Sequence, residues 1–111
     1  MRTLIAGSIL LSLIGSAYSA PLTSDELKQK VIGKSCKWTN GNASGTTDYM
    51  ANGKAKLTLA DGQAVDGTWK LKGNQICDKW NKKGFKPSCY SFEESSPGNF
   101  SGSIGFTSTC S

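Results

Sequence analysis

The chain has 111 residues, with 13 basic and 8 acidic side chains, four cysteines and no histidine. A chain of this length forms one small domain with a thin hydrophobic core. The missing histidine excludes Ser-His-Asp and Cys-His catalytic systems and histidine-ligated metals. The net charge of +5 favours anionic partners such as phosphates, lipid head groups or acidic glycans, although a need for solubility alone would also explain it.

The first 19 residues have the pattern of a secretory signal peptide. Arg2 precedes an uncharged run whose strongly apolar part, Leu4 to Ile14, is well short of the roughly 20 residues that span a bilayer. Small residues at Ala17 and Ser19 favour cleavage after Ser19, which leaves residues 20–111 as the mature chain. We therefore expect an exported protein, periplasmic or secreted, with no transmembrane segment in its mature chain.

One short amphipathic helix is predicted at the start of the mature chain, over residues 24–32. Thr23-Ser-Asp-Glu26 has the form of a capping box, in which each end residue bonds the backbone of the other. Leu27 and Val31 then share one face of the helix, and Gly33 is placed to end it.

Short β-branched and aromatic runs, separated by Gly, Asn, Asp and Pro, predict about seven strands after the helix. Asn52-Gly53 and Asp61-Gly62 are typical of two-residue type I′ hairpin turns. The fold predicted is mainly β, a small antiparallel meander that forms a barrel or a sandwich. The predicted strands are Ser35–Thr39, Thr46–Ala51, Lys54–Ala60, Val65–Lys72, Gln75–Trp80, Ser88–Glu93 and Phe100–Ser108.

Four cysteines in a small exported domain indicate two disulfides, for which three pairings exist. Cys77 and Cys89 flank a candidate hairpin with its midpoint just before Gly84, and this places them nearly opposite each other. We prefer that pair, which leaves Cys36 to join Cys110 and to tie the first strand to the last. A zinc site is disfavoured, because the spacing contains no C-x-x-C and the chain has no histidine.

The loop within CDKWNKKGFKPSC, residues 77–89, is the candidate binding site. A bridged hairpin base would hold up a cationic tip, suited to an anionic ligand or a protein partner. Trp38 and Trp69 are expected in the core. Trp80 borders the loop, and the sequence does not decide whether it lies in the core. The candidate partner-binding residues are Lys79, Trp80, Lys82, Lys83, Phe85 and Lys86.

No catalytic residue, metal or cofactor is predicted. Paired cysteines leave no thiolate nucleophile, and adjacent strand residues such as Glu93 and Glu94 face opposite ways. The glycine-rich stretch at residues 41–45 lacks the lysine and the following helix of a phosphate-binding loop. We therefore expect a protein that is not an enzyme.

An ordered set of short motifs resembles a group of small exported alphaproteobacterial proteins without an assigned function. In that group a helix and a Gly-Lys-Ser/Thr segment precede a Y-x-x-x-G, G-T-W, C-x-x-W and C pattern. The corresponding stretches here are Gly33-Lys-Ser35, Tyr49-Met-Ala-Asn-Gly-Lys54, Asp66-Gly-Thr-Trp-Lys-Leu71, Ile76-Cys-Asp-Lys-Trp80 and Cys89-Tyr90. The resemblance implies a periplasmic or secreted β-rich domain with paired cysteines, and it supplies no catalytic residues.

The function expected is that of a non-catalytic binding module, monomeric and without specific nucleic-acid binding, that contacts an anionic partner through its basic aromatic loop. One alternative is a virulence effector delivered into host cells by a type IV secretion system, although a reducing host cytosol would weaken a disulfide-dependent domain. Another is an inhibitor of an extracellular enzyme. Lysozyme is disfavoured as the target, because it is itself basic and like charges hinder encounter.

Overall fold

Helix α1 spans Ser24–Lys30 in the computed structural model, which describes residues 20–111. The predicted capping box is present, since Thr23 Oγ1 accepts from the Glu26 amide and Glu26 Oε1 accepts from the Thr23 amide. The helix ends two residues before its predicted end, because Val31 leaves the helical conformation and Gly33, with φ of +82°, turns the chain into the first strand. The predicted signal peptide, residues 1–19, lies outside the described residues.

Nine strands follow α1 within the described residues. Every neighbouring pair is antiparallel, in the order β6-β5-β4-β3-β2-β1-β9-β8-β7, so the first and last strands of the chain pair with each other. The result is a nearly closed barrel, which confirms the predicted fold class and decides against the sandwich. The strands are β1 Ser35–Thr39, β2 Ser44–Tyr49, β3 Lys54–Leu59, β4 Ala64–Lys72, β5 Gln75–Trp80, β6 Ser88–Tyr90, β7 Phe92–Ser96, β8 Asn99–Gly102 and β9 Thr107–Cys110.

A single bend at Ser91 closes most of the barrel. The segment predicted as one strand, Ser88–Glu93, is in fact β6 paired with β5, followed after Ser91 by β7 paired with β8. Beside β7, Pro21 forms a bridge with Glu93, and the Leu22 amide donates to the Phe92 carbonyl at 2.7 Å. The N-terminal segment thereby covers the edge of β7 that the sheet leaves open.

The prediction of a single last strand, Phe100–Ser108, is also wrong, because this segment forms a hairpin of β8 and β9. Gly102 and Gly105 make a tight loop in which the Gly105 amide donates to the Gly102 carbonyl at 3.1 Å, with φ of +93° at Gly105. Glycine adopts this conformation without the steric penalty of a side chain. The chain therefore reverses inside a run that looks continuous in composition.

The predicted type I′ turns are wrong. No residue other than glycine has a positive φ within residues 20–111, whereas a type I′ turn needs two successive positive values. Gly53 and Gly62 instead follow right-handed turns and donate their amides to the carbonyls of Met50 and Leu59. Asn52 acts as an acceptor, bonding the Lys54 amide at 3.0 Å, which stabilises the turn without left-handed backbone.

Both predicted disulfides are confirmed. Cys36 lies directly opposite Cys110 between β1 and β9, and Cys77 lies directly opposite Cys89 between β5 and β6. The first bridge is buried in the barrel, with Cys36 only 2% exposed, whereas Cys77 and Cys89 face outward. One bridge thus belongs to the core and the other clamps the base of a hairpin.

Helix α1 closes one end of the barrel, which we call the plugged end. Leu27 of the helix and Val31 just after it belong to the same core cluster as Tyr49, and the Gly33 amide donates to the Tyr49 carbonyl at 2.6 Å. The Lys30 ammonium forms an ion pair with Glu94 at 2.6 Å. Strand direction alternates around an antiparallel barrel, so four loops gather at the opposite, open end. These loops are residues 40–43, 60–63, 81–87 and 103–106.

Candidate binding site at the open end of the barrel

The basic loop predicted from the sequence, residues 81–87, lies on the rim of the open end. Its lysines, Lys82, Lys83 and Lys86, are exposed, while Phe85 is half-buried. The Phe85 amide donates to the Lys82 carbonyl at 3.1 Å, and Gly84 has a φ of +91°, so a tight turn forms the tip. The Cys77–Cys89 bridge holds the two strands together below it.

Lys79 and Trp80 occupy different surfaces although they are adjacent on β5. Side chains alternate along a strand, so Lys79 lies exposed on the outer wall while Trp80 points into the barrel. The six candidate residues therefore do not form one patch. Four belong to the rim loop, one lines the interior and one lies outside.

A cavity of about 390 Å³ opens beneath the rim loop. Lys86 and Phe85 stand at its mouth together with Ile104, which is 59% exposed. Deeper in the barrel, away from the open end, it is lined by Asp78 and Tyr90. The size lies at the lower end of the range for small-molecule sites, roughly 300–1,000 Å³.

Glycines in the barrel wall let large aromatic rings pack close to the wall, so that space remains in the interior. An added Cβ on Gly45 would lie 3.0 Å from Trp38 Cζ2, and one on Gly67 would lie 2.5 Å from Trp80 Cε3. Each ring thus packs against the backbone of the wall, at a glycine position where any side chain would displace the ring. The pairs are Trp38 on Gly45, Trp80 on Gly67 and Phe106 on Gly102.

Trp38 is therefore not the core residue that the sequence predicted. It is half-buried, it lines the cavity, and its indole Nε1 donates to Thr47 Oγ1 at 3.0 Å. Trp69 comes closer to the expectation, since it is half-buried and packs against the core cluster. Its indole Nε1 donates to the Met50 carbonyl at 2.7 Å.

A chain of three hydrogen-bonded side chains forms the deep end of the cavity. The Tyr90 hydroxyl donates to Asp78 Oδ2 at 2.6 Å, and the Tyr49 hydroxyl lies 2.5 Å from that of Tyr90. Because Tyr90 uses its proton on Asp78, Tyr49 donates to Tyr90. Ser88 Oγ adds a longer bond to Asp78 Oδ1 at 3.3 Å.

Burial governs the protonation of this group. It raises the pKa of the Asp78 carboxyl above its ordinary value, against the opposing effect of hydrogen bonds from Tyr90, Ser88 and Trp80. Burial likewise raises the pKa of Tyr49 and of Tyr90, so both phenols stay neutral across the physiological range. None of the lysines in residues 20–111 forms an ion pair with Asp78.

Sequence reasoning did not assign Asp78, Tyr49 and Tyr90 to a site. One indication was available, because Asp78 stands between Ile76 and Trp80 on the inward face of a predicted strand. A charged residue in the middle of an apolar face is unusual enough to mark a position for attention. The contacts of Tyr49 form only when the barrel closes, so no local sequence pattern indicates them.

Within the part of the chain that the structure describes, no three Cys, Asp or Glu side chains gather in a group able to hold a metal ion. No helix in residues 20–111 has the length and apolar character needed to cross a membrane. The chain matches no family model, no curated protein and no solved structure.

Proposed function

We propose that the protein is a non-catalytic, exported binding module, and that the basic loop at the open end of its barrel contacts an anionic partner. Export is inferred from the N-terminal sequence, and two disulfides are compatible with it, because such bonds persist in oxidising compartments.

The observation that carries this proposal is the concentration of unpaired positive charge on one rim. Lys82, Lys83 and Lys86 are exposed within five residues of one another, and none of them is ion-paired with an acidic residue of the described chain. Unpaired lysines on one loop attract an anion without first having to break an internal contact.

The base of the hairpin supports the same proposal. The Cys77–Cys89 bridge and the β5–β6 pairing fix where the loop starts and ends. A loop held in this way loses less conformational freedom when it binds, which improves affinity.

The test compares two triple substitutions with equal effects on net charge. The rim variant changes Lys82, Lys83 and Lys86 to Gln, and the control changes Lys54, Lys56 and Lys70, which are exposed on the barrel wall. We expect the rim variant to elute from a heparin column at clearly lower salt than the control. Equal elution of the two variants would show that net charge alone sets retention, and the proposal would fail.

A second candidate function, inhibition of an extracellular enzyme, is favoured by one apolar side chain at the same end. Ile104 is 59% exposed at the tip of the β8–β9 loop. A protruding aliphatic residue on a tight loop can fill a pocket of a protein partner. The oxidised protein would be assayed against purified extracellular proteases and glycosidases, with Ile104→Ser expected to abolish any inhibition and Thr107→Ser, an exposed neighbour, expected to preserve it.

A further inference from the structure

The cavity contains a buried negative group that the rim loop does not explain. Asp78 is 7% exposed, and among the described residues that line the cavity it is the one acidic side chain. Lys86, which stands exposed at the mouth, is the one basic lining residue within residues 20–111. The interior and the rim of the open end therefore carry opposite charges.

Burial of this carboxylate is only partly compensated within the fold. Removing a charge from water is unfavourable, and the hydrogen bonds from Tyr90, Ser88 and Trp80 offset that cost without cancelling it, since the pKa of the carboxyl remains raised. A perturbed titratable group that faces a cavity is more typical of a binding or catalytic site.

Asp78 also has bonding capacity to spare. An ionised carboxylate has about four acceptor positions. Tyr90 occupies one on Oδ2, and Ser88 and Trp80 interact with the same carboxyl, so about one position remains for a donor or a cation from the cavity.

The aromatic walls fit the same kind of ligand. Trp38, Trp80 and Phe106 each pack against a wall glycine and also line the cavity. The face of an aromatic ring carries negative electrostatic potential and attracts cations, most strongly where water is excluded.

From the combination of a buried carboxylate, aromatic walls and empty volume, we infer that the barrel interior binds a small organic cation. Its positive group lies against Asp78, and its apolar part lies between Trp38, Trp80 and Phe106. Lys82 and Lys83 do not line this site, and Lys86 stands only at its mouth. Lys86 opposes it only weakly, because an exposed charge is screened by solvent and salt, whereas Asp78 acts within the barrel.

Three probes of nearly the same shape and different charge test the inference. Choline is positive, 3,3-dimethyl-1-butanol is its neutral carbon analogue, and 3,3-dimethylbutanoate is negative. Binding to the oxidised protein is followed by tryptophan fluorescence, because Trp38 and Trp80 line the cavity, and is confirmed by calorimetry. We expect choline to bind about tenfold more tightly than the alcohol, and the carboxylate to bind most weakly.

Two asparagine variants identify the group responsible. Asp78→Asn is expected to remove the preference for choline over the alcohol, while Asp66→Asn, at an exposed position on β4, leaves it unchanged. Preserved near-ultraviolet circular dichroism shows that each variant is folded.

A pH series on the unmodified protein gives an answer even if Asp78→Asn fails to fold. The titratable groups that line the cavity are Asp78, Tyr49 from β2, Tyr90 from β6 and Lys86 from the rim loop. Asp78 is the one carboxyl among them, so choline affinity should fall as the pH drops through the Asp78 pKa while the affinity for the alcohol stays constant.

Three outcomes overturn the inference: equal or tighter binding of the alcohol, tightest binding of the carboxylate, and no binding of any of the three. The heparin test depends on other residues and another readout, so a failure of either proposal does not decide the other.

Discussion

Gly67 lies directly opposite Trp80 between β4 and β5, and a Cβ on Gly67 would fall 2.5 Å from the indole Cε3 and would also overlap the carbonyl oxygen of Lys79. The indole can shift, but the backbone carbonyl belongs to the β5 strand and cannot. We therefore expect Gly67→Ala to lower the free energy of unfolding by roughly 3 kcal/mol, measured by urea denaturation.

A glycine in open space provides the control for that substitution. Gly73 has a φ of +59° and no atom within 4 Å of a built Cβ, so Gly73→Ala reports conformational strain alone, about 1 kcal/mol. Equal losses for the two variants would mean that the contact with β5 is not the cause.

The two disulfides are expected to differ in their contribution to stability. Loop-closure scaling gives about 4.5 kcal/mol for Cys36–Cys110, across a sequence separation of 74, and about 3 kcal/mol for Cys77–Cys89, across a separation of 12. Replacing the first pair with alanines should lower the denaturation midpoint more than replacing the second, and adding a reductant should lower it further than either. The prediction fails if removing Cys77–Cys89, the outward-facing bridge, lowers the denaturation midpoint more than removing Cys36–Cys110 does.

The helix that closes the plugged end is expected to depend on one leucine. Leu27 is fully buried, so Leu27→Ala should lower the free energy of unfolding by about 3 kcal/mol through lost contacts and a cavity. Gln29→Ala, an exposed change in the same helix, should alter it by less than about 0.5 kcal/mol. Thermal melts of both variants would check this, and similar losses would show that α1 does not pack as a plug.

Asp78 is expected to reduce stability at neutral pH. Burial raises its folded-state pKa above the unfolded value, so the folded state holds the proton more tightly, and stability falls as the pH rises through this interval. Asp78→Asn removes this effect, and its stability relative to the unmodified protein should therefore be greater at about pH 7 than at about pH 3. The opposite trend in urea denaturation would mean that the folded protein favours the ionised carboxylate.

The parts of the fold that depend on neighbours in sequence could be predicted. The bounds of β1 and β5 agree with the prediction, and so do the start of α1 at the Thr23 cap and both cysteine pairs. In most of these cases the deciding interaction joins residues a few positions apart or across one hairpin. The exception is Cys36–Cys110, separated by 74 positions, which followed from assigning the other two cysteines to each other.

The site depends on contacts that no local pattern contains. Tyr49 and Tyr90 are 41 positions apart and meet only because the barrel closes. The bend at Ser91 was missed for a related reason, since its two sides look like one strand until their partners, β5 and β8, are known. The rim loop was found early because its lysines and its bridge are consecutive in the chain, whereas the cavity behind it is assembled from most of the strands.

The bend at Ser91 also restricts how a peptide could attach. One continuous stretch, residues 88–96, covers the edge of β5 with its first half and that of β8 with its second, and Pro21 and Leu22 cover part of what is left. Open strand edges are where foreign strands add, either in peptide recognition or in aggregation. Within the described residues the barrel offers little such edge, so we expect it to resist fibril formation and to be entered by ligands through its mouth.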